Sequence, residues 1–254
     1  MFIKRSLAMF MVSALLLLIL PFTATAQGTA CNDLPDHETL REALINARSD
    51  DNGGFNLDMW ATVVNRDGEV CVVAFTGNDR GDQWPGSRVI SAQKANTANA
   101  FSLPGLALST ANLFSAVQPG GSLFGLQFSN PVDTGVAYGG NAANFGQPND
   151  PMVGNRIGGV NVFGGGLALY DSDGQLVGAI GVSGDSSCAD HNIAWKTRDA
   201  LGLDNVPGGV SPTGDDNIIY DIMDGSSASG FGHAECAEAS TEIGNGLPES
   251  HPIG

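Results

Sequence analysis

Two short stretches carry residue types that do chemistry. Cys188-Ala-Asp-His191 and His233-Ala-Glu-Cys236 have mirror-image spacings, and a cysteine with a histidine three residues away is the pattern of a tetrahedral zinc ligand pair. The same four residues serve equally well as a disulfide between Cys188 and Cys236 that brings two imidazoles, His191 and His233, toward one place. An oxidising compartment favours the disulfide. Trp195 and Phe231 flank the two histidines in sequence. The structural alternative, a pair of ordinary hydrogen-bonded histidines, stands beside any ligand role.

Lys94 is out of place in a different way. It shares a helical stripe with Ile90, Thr97 and Phe101, the side that should meet a sheet, where a lysine ordinarily runs its stem along the core and exposes its amine. Arg80, Arg88 and Arg156 are scarce cations in an acidic chain, able to hold a ligand carboxylate or simply to neutralise a nearby Asp. Other motifs fail on inspection. Ser91-Ala-Gln-Lys94 fits S-x-x-K without its partner motifs, Ser183 lacks the second glycine of a nucleophile elbow, and Asp171-Ser-Asp-Gly174 begins a calcium loop without completing it.

The elements that must position these residues follow from periodicity and turn signals. Residues 36–49 form an amphipathic helix with Leu40, Ala43, Leu44 and Ala47 on one side. Residues 57–65 and 69–76 are strands about an Asp-Gly turn, then a polar loop at 77–86 leads into a helix over 87–101. The order repeats: strands at 160–170 and 176–182 about Asp173-Gly174, then a helix over 188–201. On that last helix Ala189, Ile193, Thr197, Ala200 and Leu201 face the sheet. Cys188, His191 and Trp195 fall on the opposite side, and such residues on a solvent face require a cover.

Between the repeats lies an insertion, 102–157, rich in Gly, Asn and Pro, with a short helix expected at 109–117 and a fifth strand at 122–128. Its length, with Val136, Tyr138, Phe145 and Met152 inside it, suits a packed lid. A tail, 203–254, carries a strand-like run at 217–223. The whole predicts an α/β (α+β) fold, an antiparallel sheet of about five strands with helices packed on it.

Residues 1–26 have the tripartite form of a secretory signal: Lys4 and Arg5, an apolar run, and small residues ending at Ala26, where cleavage is expected. The apolar run is short for a bilayer span. The expected destination is the periplasm or the medium. The net charge of −16 becomes −18 on removal of that segment, a surface that repels nucleic acid and anionic lipid and excludes both as principal partners. Four cysteines remain. Of three pairings we favour Cys31–Cys71 with Cys188–Cys236, since each ties a terminal segment to a core element.

Val63-Val-Asn-Arg-Asp-Gly68, Lys94-Ala-Asn-Thr-Ala98 and above all Gly178-Ala-Ile-Gly-Val-Ser-Gly184 followed by Asp190 resemble the GlcG/HbpS-like haem-binding, haem-degrading family over roughly residues 36–202. The resemblance implies a profilin-like fold within 27–202, assembly into oligomers in many members, and haem or a related tetrapyrrole as ligand, for storage, transport or sensing. It equally implies two alternatives: a haem-degrading enzyme or handler of small organic acids, and a non-catalytic interaction module. Haem needs an aromatic slot, an axial donor and cations for its propionates. On this reading His191 or His233 ligates the iron, Trp195 and Phe231 pack on the porphyrin, and Arg80 and Lys94 belong to the site. The sequence departs from the family pattern in its long insertion, its tail and His191, which stands where an acidic residue commonly follows the position of Asp190.

Overall fold

The computed structural model describes residues 31–254; the expected signal segment at 1–26 lies outside the described residues. Helix α1 (His37–Ser49) starts where the Asp36 carboxylate accepts the Thr39 N–H. Strands β1 (Trp60–Asn65) and β2 (Val70–Phe75) form the first hairpin, and helix α2 (Ser87–Phe101) follows. The insertion then runs through 3₁₀ turns at Ala111–Leu113 and Ser115–Val117 and two single-turn helices, α3 (Leu126–Ser129) and α4 (Thr134–Ala137). Strands β3 (Gly166–Tyr170) and β4 (Leu176–Ser183) make the second hairpin, followed by α5 (Ser187–Ala200), whose cap is Ser186. The tail holds a two-residue hairpin, β5 (Ile222–Met223) with β6 (Ser226–Ser227), and closes with α6 (Glu238–Ser250).

The main sheet is antiparallel in the order β2-β1-β4-β3, so the two hairpins join through β1 and β4. It has four strands rather than about five. The run at 122–128 turns at Gly125 into α3 instead of reaching a sheet edge, and the run at 217–223 is strand only at its last two residues. In both places the apolar residues pack as irregular chain.

Both faces of the sheet are covered, which is why β1 is buried at every position rather than alternating. Ala61, Val63, Ile180 and Val182 pack with Leu40 and Leu44 of α1, Ile193 and Trp195 of α5 and Leu247 of α6. On the other face Trp60, Val64 and Ala179 meet Ala92, Ala95 and Ala98 of α2, together with Ala137, Met152 and Ile157 of the insertion. The alanines of α2 let it lie close on the strands. At Gly181 the approach is so tight that a Cβ would sit 1.9 Å from the Ser91 carbonyl oxygen.

The cover required over α5 is the tail. Cys188 to Arg198 are all buried, so α5 lies between sheet and tail instead of presenting an outer face. The Arg198 guanidinium donates twice to Asp216, at 2.8 Å each, and both side chains are fully buried. Cys188–Cys236 holds the tail here and Cys31–Cys71 holds the start of the described chain to β2.

Candidate functional site

The expected residues fall into three places. His191 and His233 come together beside the glycine run that leads into β3: a Cβ on Gly164 would meet the His191 Cβ at 3.1 Å, and the Gly164 N–H lies 3.4 Å from His233 Nε2. Both rings are enclosed by protein, at 0% and 2% exposure. His191 Nε2 lies 3.1 Å from both the Ile218 N–H and Asn217 Oδ1, while its Nδ1 has no hydrogen-bond partner among the described residues. His233 Nδ1 donates to the Ala234 carbonyl at 2.7 Å, and its ring packs 4.6 Å from that of Phe114. Burial pushes the two imidazoles down, to about 3 for His191 and about 4 for His233, so both are neutral near pH 7. Trp195 is covered too, its indole N–H donating to the His251 carbonyl at 2.9 Å. Phe231 is half-buried in the tail. The disulfide withdraws both thiolates from any metal, and among the described residues no cluster of three or more His, Cys, Asp or Glu is placed to hold one.

The second place is where Lys94 goes. The residue is 1% exposed, and its ammonium donates to the Val182 carbonyl at 3.0 Å and to Asp190 Oδ2 at 2.7 Å. The amine therefore does not reach solvent as a stem-buried lysine ordinarily does; it crosses above the end of β4 to a carboxylate at the start of α5. Gly165, at φ +112°, gives it room, since a Cβ there would stand 3.1 Å from Nζ and 2.4 Å from the Val182 carbonyl oxygen. Asp190 Oδ1 accepts the N–H groups of Gly184 and Asp185 at 3.1 and 2.8 Å. Burial raises the Asp190 carboxyl to about 6 and lowers the Lys94 ammonium, each charge opposing the shift of the other. The three sequence pieces, Lys94-Ala-Asn-Thr-Ala98, the 178–184 run and Asp190, thus meet at one ion pair. This pair floors a cleft of about 270 Å³ walled by Trp84, Ile90 and Phe163 and edged by Ser183, Asp185 and Ser187.

The third place holds Arg80. It lies in the polar loop, exposed, with Asp79 3.7 Å away. It borders an apolar cleft of about 440 Å³ between the N-terminus of α2 and the insertion, lined by Trp60, Val89, Tyr138 and Phe145. Arg88 forms the inner wall. It is bonded to Asp150 through Nε at 2.8 Å and through Nη2, and its guanidinium lies 3.7 Å over the Phe145 ring. Arg156 takes the structural role, close to Asp67 and Glu69 at the surface.

Sequence reasoning singled out Lys94 without finding its partner, although a lysine on a buried stripe calls for a buried carboxylate. It passed over Trp84, Phe163, Tyr138 and Phe145 as cleft walls. Their signal, aromatic residues inside glycine-rich polar loops, has no helical or strand period to reveal it.

Compared with known proteins, residues 36–199 match the family model described as haem-degrading protein HbpS-like. A search of the curated proteins gives no match. Among solved structures, the PduOC:haem complex is 23% identical with a TM-score of 0.45, covering 65% of this chain and 91% of that one. The ORFY protein of Klebsiella pneumoniae is 24% identical with a TM-score of 0.44, covering 65% and 86%.

Proposed function

The chain belongs to the HbpS-like family of haem-degrading proteins, and we propose that it is an exported haem-binding protein whose ligand enters the apolar cleft beside Arg80. Export rests on the signal-like residues 1–26 and on the two disulfides. Among the described residues no helix is long and apolar enough to cross a membrane.

The observation that carries the choice of cleft is its lining. Haem asks for a flat apolar slot, cations for propionates and an axial donor. Trp60, Phe145 and Val89 supply the apolar wall, and Arg80 at the mouth supplies a cation whose one ion-pair contact among the described residues is to Asp79, at 3.7 Å. Tyr138 supplies a phenol, the type of oxygen donor that holds haem iron in catalase-like sites. At about 440 Å³ the cleft is of the size that takes small-molecule ligands and encloses part of a porphyrin, leaving an edge outside. A cleft of about 820 Å³ beside His37 suits haem less. Its cation, Arg41, already donates to the Thr76 and Gly77 carbonyls at 3.3 and 3.1 Å and stands among Asp36, Glu38 and Glu42, and His37 Nε2 is bonded to the Gly146 carbonyl at 2.8 Å.

Bound haem brings an iron that exchanges electrons and binds oxygen; the chain positions the ring, excludes water from its inner face and neutralises a propionate. Storage, transport or sensing needs nothing further. Degradation, named in the family's description, is the second reading, and it predicts loss of the Soret band with reductant faster than for free haem.

Titration of haem into the purified protein tests the site. A saturable Soret shift is expected, weakened about tenfold by Arg80→Ala, the order expected for a charge-assisted hydrogen bond, and unchanged by His191→Gln with His233→Gln. A normal shift in R80A, or its loss in His37→Ala, would move the ligand out of this cleft. No Soret shift would remove haem and promote an interaction module.

A further inference from the structure

The cleft above Lys94 and Asp190 shares no lining residue with the Arg80 cleft. Its hydrogen-bonding capacity is unevenly spent. The Asp185 carboxyl accepts from three backbone amides, those of Phe55 at 2.8 Å, Leu57 at 3.1 Å and Ser186 at 2.6 Å. Asp190 is filled by two more and by Lys94. Each carboxylate therefore accepts three bonds from within the protein, five of the six from backbone amides and the sixth from Lys94, which hold the two charges inward.

What is left over donates. Lys94 uses two of its three protons inside the protein. Ser183 is only 4% exposed, its hydroxyl has no hydrogen-bond partner among the described residues, and it lines the cleft with its donor unspent. The first turn of α5 opens at the same edge through Ser187, adding the partial positive charge of a helix N-terminus. The walls above are apolar and flat: Trp84 and Phe163 remain 53% and 46% exposed, two large aromatic surfaces left open beside a polar floor.

We propose that this cleft is a second ligand site, one that takes a small carboxylate with a flat apolar body, its carboxylate received by Lys94 and Ser183 and its body held between Trp84 and Phe163. The volume of about 270 Å³ admits one ring or a short chain and excludes a tetrapyrrole.

Calorimetric titration with benzoate as probe, using benzamide as its uncharged counterpart, tests the site on the full chain. Saturable binding of benzoate is expected, with benzamide at least about tenfold weaker, as loss of a charge-assisted hydrogen bond implies. Ser183→Ala and Phe163→Ala each remove a ligand contact without touching the Lys94–Asp190 pair, and each should weaken benzoate severalfold while the circular dichroism spectrum stays that of the parent. Benzamide binding as tightly as benzoate, variants that bind like the parent, or no saturable heat with benzoate would overturn the proposal. Because no haem is present in this titration, its failure leaves the Arg80 cleft untouched, and a missing Soret shift leaves this site untouched.

Discussion

His191 and His233 matter to the molecule as neutral side chains, whatever their role toward a ligand. Each is held far below the ordinary imidazole value by burial, to about 3 and about 4. Between those values and about 6.5 the unfolded chain binds protons that the folded chain refuses, so stability falls as the pH drops through that interval. The cost reaches roughly 3 to 5 kcal/mol per imidazole at the acid end. Asp190 opposes this: with its carboxyl raised to about 6 from 3.8, the folded state holds an extra proton in that range, and its contribution diminishes as the pH rises through it. The net expectation is a chain that loses stability from about pH 6 downward. Urea unfolding measured from about pH 7 to about pH 4 should show a flatter profile in the double variant His191→Gln, His233→Gln; an equally steep profile would place the acid sensitivity elsewhere.

At the scale of elements, the tightest constraint is the contact between α2 and the sheet. Gly181→Ala drives a methyl group into the Ser91 carbonyl and should cost about 3 kcal/mol or more, read as a lowered denaturation midpoint with unchanged slope. Helix α5 is tied to the tail more strongly still. Removing one partner of the fully buried Arg198–Asp216 pair, as in Asp216→Ala, should cost about 4 kcal/mol because a guanidinium stays behind without its counterion. Both hairpins and the three long core helices were legible in the sequence, since period and Asp-Gly turns mark them directly. The cysteine pairing was legible as well. Helix α6 was not, because Gly244, Gly246 and Pro248 mask its pattern and packing sustains it, with Leu247 in the core and Gly244 against Asn192, Ile218 and Tyr220. That the outward side of α5 is covered could be inferred from Cys188, His191 and Trp195 alone. The Cys188–Cys236 pairing pointed to the tail as the cover; the residues that fill it, Asn217 and Ile218, were read as part of a strand-like run and are irregular chain.

For the molecule as a whole, the insertion and the tail are parts of the core rather than attachments. The insertion provides Ala137, Met152 and Ile157 to one side of the sheet and the tail provides Leu247 to the other. Opening Cys188–Cys236, which closes a loop of 48 residues, should lower stability by about 4 kcal/mol on a chain-entropy estimate. Cys188→Ser with Cys236→Ser should accordingly melt earlier and exchange the Ile218 amide faster; an unchanged melt would mean that Arg198–Asp216 alone retains the tail. The same two segments also reach the margins of the sheet. At Val70 on outer strand β2 both backbone groups are taken by Asn155 and Gly154 of the insertion, and at Tyr170 on outer strand β3 the amide is taken by Leu203 of the tail. A neighbouring molecule seeking to add its own strand finds those rungs already occupied, so the insertion and the tail each interrupt the edge that such an addition would need.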